Sequence, residues 1–339
     1  MSPTIKDVAK KAGVSIATVS LAIHDNKRIS TVTRNKVLRA IKELNYHPSR
    51  SAKGLVTKTT GNIGFILTDD HFLKTEPFYT MIFLGTEFAS RGNDYYVLLT
   101  TIKKDFAEED ELPRFILERS IDGIIIAGKV SDIFIHKLSE YDIPLVFVDY
   151  FPPLEDHYVV MVDNINGGYL ATKHLIDLGH KEIAFIGADI THPSIMHRLT
   201  GYKQALESNG IEIKQNYIIT DEDYPGRQNG YNAAKKILET NKNITAIFSC
   251  NDAVAIGVMQ YCSDNGINIP GDLSLVGFDD VEADLLLNPP LTTVRVPKVE
   301  LGTEAMNVMV SILSDKSGYR AKKIVVPIEL IIRNSTGKI

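Results

Sequence analysis

Along the chain, the spacing of apolar positions changes once, near residue 61. Before it, apolar residues recur at helical intervals in three short stretches. Thr4, followed three residues later by Asp7, reads as an N-cap, and Val8, Ala9 and Ala12 then repeat at helix spacing until Gly13. Ser15 caps a second predicted helix, Ser15–Ile23, and Ser30 caps a third that carries Val37, Leu38, Ile41 and Leu44 on one face and ends near Pro48. Two short helices joined by a glycine turn make a helix-turn-helix. After residue 61, short apolar runs alternate with longer amphipathic stretches. The runs are Ile63–Leu67, Tyr95–Leu99, Gly123–Ala127, Leu145–Val148, Val159–Val162, Ile183–Ile186, Ala246–Phe248 and Leu273–Phe278. Alternating strand and helix predicts parallel sheets flanked by helices, and so many strands predict two α/β lobes.

Charge sharpens this division. Residues 1–60 hold 12 Lys and Arg against 3 Asp and Glu, a net of +9, whereas the remainder holds 25 against 39, a net of −14. A basic head on an acidic body points to a polyanionic partner for the head. On the second helix, Val19 and Ile23, with Val14, are expected to face the core. That leaves Ile16, Ala17, Ser20 and Leu21 together on the outward face. An apolar strip on a basic domain suits thymine methyls in a DNA major groove; packing against a neighbouring helix is the plainer alternative.

The order Thr4-Ile5-Lys6-Asp7-Val8-Ala9, Ala12-Gly13-Val14-Ser15, Thr18-Val19-Ser20, then Arg34, Val37 and Leu44-Asn45-Tyr46 with Pro48, resembles the head of the LacI/GalR family of bacterial transcription regulators. The resemblance implies that Ile16, Ala17 and Ser20 read bases, with Leu21 and Arg28 beside them. Leu21 departs from the family pattern, in which arginine is common at this position. The DNA-facing set further includes Thr4, Ser15, Thr33, Tyr46, Ser49 and Ala52. Residues 49–56 are too short to be a stable isolated helix, and Gly54 weakens them further. By resemblance they form a hinge helix that orders on DNA, with Leu55 wedged into a minor-groove step; dimer packing is the alternative role for Leu55.

The rest of the chain resembles the two-lobed periplasmic-binding-protein-like fold. That implies an all-α helix-turn-helix head over 1–48, a hinge over 49–60, a first lobe of 61–161 plus 292–322, and a second of 162–291 plus 323–339. The chain would cross between lobes near 161–163, 289–292 and 322–327. In open α/β sheets, ligands sit beyond the C-terminal strand ends. Asp69, Asp149, Tyr150, Asn251, Asp252 and Asp279 fall there, and Arg198 opens a helix. Phe78 and Tyr79 could stack on a ring, and His192 and Tyr224 lie in loops. Asn251-Asp252-x-x-Ala255-x-Gly257, Gly277-Phe278-Asp279-Asp280 and Arg198-Leu199-x-Gly201-Tyr202 match family motifs. The resemblance therefore implies that Arg198, Asn251 and Asp279 contact an effector; Asp149 matches such a position more loosely. Asn251 and Asp252 read equally as helix caps, Asp279 as a turn residue, Arg198 as an ion-pair residue and His192 as a loop residue. The stretch Thr68–Pro77, with Asp69, Asp70, His71, Lys74 and Glu76, is longer than is usual in the family and is expected to reshape one cavity wall.

Acid, amide and guanidinium chemistry favours a sugar or sugar phosphate as effector, with a purine base as runner-up. No Walker A loop, dinucleotide fingerprint, G-x-S-x-G elbow or metal-ligand spacing occurs, so neither an enzyme, nor a cofactor, nor a metal is expected. Cys250 and Cys262 are not in CxxC spacing, and the N-terminus has no secretory h-region. A cytoplasmic location is therefore expected, with no membrane contact. A transport-type sugar-binding protein would share the body but not residues 1–60. The expected partners are pseudo-palindromic operator DNA, a small-molecule effector and a second copy of the chain, since no C-terminal heptad tail supports a tetramer.

Overall fold

The computed structural model describes residues 3–23, 29–46, 59–73, 77–152, 157–314 and 323–339. They fall into two compact units, divided after Gly61.

The first unit is a three-helix head: α1 (Ile5–Ala12), α2 (Ile16–Ile23) and α3 (Thr31–Leu44). Thr4 and Asp7 form the expected capping box, with the Thr4 amide donating to Asp7 Oδ2 at 2.8 Å. Gly13 ends α1 in the left-handed region at φ 63°, a conformation open to glycine at little cost. Ser15 accepts from the Thr18 amide at 3.1 Å, and Ser30 caps α3 through the Thr33 amide. The core joins Val8, Ala9, Ala12, Val19, Ala22, Val37, Ala40 and Tyr46, with Val14 and Ile23 packed against it. One position on the expected apolar face of α3 is corrected. Leu38 is exposed, and the buried face instead runs through Val37, Ala40, Ile41 and Leu44, which is the tighter helical repeat.

The second unit has two lobes. The first carries a sheet of β1 (Asn62–Thr68), β2 (Tyr96–Ile102), β3 (Gly123–Ala127), β4 (Leu145–Val148), β5 (Tyr158–Val162) and β11 (Lys323–Val326), in the order β11-β5-β4-β3-β1-β2. The second carries β6 (Ile183–Ile186), β7 (Ile218–Ile219), β8 (Ala246–Ser249), β9 (Ser274–Asp279), β10 (Thr292–Arg295) and β12 (Glu329–Ile331), in the order β12-β10-β9-β8-β6-β7. All described pairings are parallel except β10 with β12, which is antiparallel. Central strands such as β3 are buried at every residue, as expected of strands covered on both faces.

Eight strands coincide with the apolar runs to within about three residues. β7, β10, β11 and β12 do not, being short or edge strands; β11 alternates exposed and covered positions. They move two lobe boundaries. The first crossing falls at Asp163. The second does not fall at 289–292, because β10 pairs with β9 in the second lobe; the chain crosses at 296–297. The third does not hand 323–326 to the second lobe, because β11 pairs with β5; the chain crosses at 327–328.

Each lobe is fastened by a helix pair in backbone contact. In the first, α5 (Phe78–Gly92) packs on α12 (Lys298–Ser314), and a Cβ at Gly85 or Gly302 would lie 2.0 Å or 1.9 Å from a carbonyl oxygen of the opposite helix. In the second, α8 (Asn164–Asp177) packs on α9 (Pro193–Ser208), where a Cβ at Gly168 or Gly201 would meet carbonyl oxygens at 2.2 Å and 2.0 Å. No helix among the described residues is long and apolar enough to cross a membrane.

Candidate functional site

In the head, α2 presents Ile16 and Ala17 to solvent, with Ser20 and Leu21 half-buried beside them. Val19 and Ala22 turn inward. Ile16 is 45% exposed. Of the other expected DNA-facing residues, Thr4 and Ser15 are exposed caps and Thr33 is half-buried, whereas Tyr46 packs in the core. Arg28, Ser49, Ala52 and Leu55 lie outside the described residues.

In the second unit, a cavity of about 220 Å³ opens between the lobes at the C-terminal ends of their strands. Eight expected residues line it: Phe78, Tyr79, Asp149, His192, Arg198, Tyr224, Asn251 and Asp279. Two do not. Asp69 is exposed, because it opens a short helix, α4 (Asp69–Leu73), that turns Asp70 and His71 inward in its place. Tyr150 is buried against Phe147 in the core of the first lobe. The Thr68–Pro77 segment contributes Asp70 and His71 to the cavity wall, and the His71 ring lies 4.6 Å from that of Tyr79; Lys74 and Glu76 lie outside the described residues.

Arg198 is not at the start of its helix but in the second turn of α9, and it is clamped. Its Nε donates to Asn164 Oδ1 at 2.8 Å and its Nη1 to the Cys250 carbonyl at 2.6 Å, and the guanidinium lies 3.7 Å from the Phe278 ring centre. Asn251 both caps α11 (Asp252–Asp264), accepting from the Val254 amide at 2.9 Å, and donates to the Pro225 carbonyl at 2.9 Å. Its capping and its place on the cavity wall therefore coexist. Asp279 ends β9 at φ 122°. Its carboxylate sits 3.6 Å from Arg198, and its buried Oδ1 has no hydrogen bond. Burial pushes the Asp279 carboxyl up to about 7 against the pull of Arg198.

Opposite, Asp149 sits at φ 58°, accepting from Tyr79 at 3.1 Å and, across the cleft, from Ser194 Oγ at 2.7 Å. Burial, then Asp149, raises the Tyr79 hydroxyl well above its ordinary value. Burial pushes His71 down to about 4 and lowers His192 too, so both imidazoles are neutral near pH 7; His192 Nδ1 accepts from the Ser194 amide at 3.3 Å. The neutral Cys250 thiol, raised by burial to about 12, is chemically quiet. Lys129 reaches across the cleft mouth to Thr191 Oγ1 and to Asp189, 3.5 Å away. Lys129, Asp189 and Ser194 follow strand ends or open α9, yet carried no motif to mark them.

Residues 4–49 match the model of bacterial regulatory proteins of the lacI family, and residues 172–336 match a periplasmic binding protein-like domain. The HTH-type transcriptional repressor PurR of Histophilus somni (strain 129Pt) is 33% identical over 334 residues, 98% of each chain. Among solved structures, the complex of the transcriptional regulator CelR with cellobiose aligns with a TM-score of 0.76 at 28% identity, over 98% of this chain and 99% of that one. A lac repressor dimer bound to operator and the anti-inducer ONPF aligns with a TM-score of 0.82 over 99% of this chain and all of that one; at 24% identity this likeness is one of fold. A helix-turn-helix head joined to a two-lobed core defines a DNA-binding transcription regulator rather than an enzyme. The chain belongs to the lacI family of bacterial regulatory proteins and is a DNA-binding transcriptional repressor.

Proposed function

We propose that this repressor binds a pseudo-palindromic operator as a cytoplasmic homodimer, and that a sugar or sugar phosphate in the interlobe cavity sets its grip. The observation that carries the effector reading is Asp279: a buried carboxylate with an unpartnered oxygen beside a clamped guanidinium. Such a pair lacks hydroxyl partners of fixed geometry, which vicinal hydroxyls supply. Asn251, the two neutral imidazoles and the Tyr79 ring add donors, acceptors and a stacking face. The lining holds five aspartates against Lys104, Lys129 and Arg198, which favours an unphosphorylated sugar over its phosphate. The exposed Ile16 and Ala17 supply the base-reading surface, with phosphate attraction from the head's net +9.

A purine base is the second reading, favoured by the name of the 33% identical relative and by the Phe78, Tyr79 and His71 rings on one wall. A thermal-shift panel of neutral sugars, sugar phosphates and purine bases separates the two. Neutral sugars are expected to raise the melting temperature, and Asp279→Asn to abolish that rise; a response to purines alone would refute the sugar reading. Gel shifts on symmetric duplexes, with and without residues 1–60, test the DNA reading. Effector and operator are expected to change each other's affinity by one equal factor, corresponding to about 1–3 kcal/mol.

A further inference from the structure

Behind Asp279, on the side away from the cavity, two carboxyl groups meet in the core of the second lobe. Asp252, in the first turn of α11, and Asp284, in the 3-10 turn Glu282–Leu285, are both fully buried. Both accept from one amide, that of Val281, at 3.2 Å and 3.1 Å. Asp252 Oδ1 also accepts from Thr293 Oγ1 at 2.6 Å, while Asp284 Oδ1 has no hydrogen-bond partner. A side chain at Gly277 would place its Cβ 2.2 Å from Asp252 Oδ1, so the strand beneath leaves just enough space for the pair.

Among the described residues, no cation hydrogen-bonds either carboxyl, although Lys298 and Arg333 lie near enough to act on the pair electrostatically. The charged groups around them are committed elsewhere: Lys298 of α12 donates to the Asp279 and Asp280 carbonyls, and Arg333 donates to Asp280 and the Leu291 carbonyl. Asp279 and Asp280 themselves are like charges. Two adjacent buried carboxylates without a counter-ion cannot both remain ionised; one proton between them turns repulsion into a hydrogen bond.

We propose that Asp252 and Asp284 share one proton in the folded repressor, and that Asp284 is thereby a positioning residue that pins the 279–281 turn and aims Asp279 into the cavity. The aim assigned to Asp279 rests on the effector reading above; the shared proton does not. The pair has the turn between its members, since Val281 lies two residues beyond Asp279, and Asp279 and Asp280 both hold positive φ (122° and 55°). Burial first, and Asp252 second, push the Asp284 carboxyl up to about 9; burial raises Asp252 as well. The folded chain therefore holds a proton that the unfolded chain releases near pH 4, so the pair's contribution is full below that and declines as pH rises towards 9.

The test compares full-length wild type with Asp284→Asn by melting temperature from pH 5 to pH 9, without ligand. An amide mimics the protonated acid and cannot ionise. The two chains are expected to melt together at pH 5 and to diverge above it, with Asp284→Asn higher by roughly 2 °C or more at pH 9. Other titrating groups, Asp279 included, are common to both chains and cancel. Parallel curves, or a variant below wild type throughout, would overturn the proposal. Should the variant not fold, infrared spectra of Asp279→Asn at pH 8 decide: a protonated-carboxyl band must persist there, and its absence overturns the shared proton. A failure on either readout leaves the sugar panel unaffected.

Discussion

In the second lobe, Arg198 and Asn251 are held from within: Arg198 by Asn164 and the Cys250 carbonyl, Asn251 by its capping bond and Pro225. In the first lobe, Lys129 and Asp149 reach across the cleft to Thr191, Asp189 and Ser194, while Asp149 also accepts from Tyr79 within its own lobe. Two sheets of the same size thus carry polar groups of different kinds. One set is rigid before any ligand arrives, as a binding surface must be to avoid ordering costs. The other joins the lobes and must be remade when they move apart.

Three substitutions would break or sharpen that contrast. Arg198→Ala is expected to be the most severe. It strands Asn164, the Cys250 carbonyl and Asp279 in a buried setting, at a cost of roughly 3 kcal/mol or more. Calorimetric melting should show the loss, and ligand response should vanish with it; a stable, responsive variant would mean that the clamp is dispensable. Ser194→Ala removes one buried bond to Asp149 and should cost about 1 kcal/mol. Its distinguishing effect is on cleft opening, read as an increased distance between spin labels at exposed positions on the two lobes. Lys129→Met should be the mildest, under about 1 kcal/mol, because both partners of the pair are about one-third exposed. Wild-type opening is expected to be promoted by salt and that of the variant to respond less; unchanged sensitivity would place the charge effect elsewhere.

The buried strands were legible because each forms a continuous run of Val, Ile, Leu and Phe, which parallel sheets covered on both faces require. Edge strands were not, since β11 and β12 need apolar residues on part of one face only. The third crossing moved with β11; the second moved because β10, an inner strand reading Thr292-Thr293-Val294-Arg295, is not an apolar run. Strand-end polar residues pointed to the cavity, but one-residue errors matter there. Asp69 gave way to Asp70 and His71 because a helix began at once, and Tyr150 turned into the core at the position after the left-handed Asp149. Groups that bond across the cleft were the hardest to find. Lys129 and Asp189 are distant in sequence, and neither sits in a motif that would tie them together.

The glycines where α5 meets α12 and α8 meets α9 bring main chain against main chain, with no side chain between to flex. Such contacts leave little room for a lobe to absorb a displacement internally. Movement of one lobe against the other is therefore expected to be taken up mainly at the three connecting segments at 163, 296–297 and 327–328. Enlarging a single glycine in either helix pair is expected to force the two helices apart, and at Gly168 the added Cβ would press on the main chain of Arg198, a residue of the cavity wall.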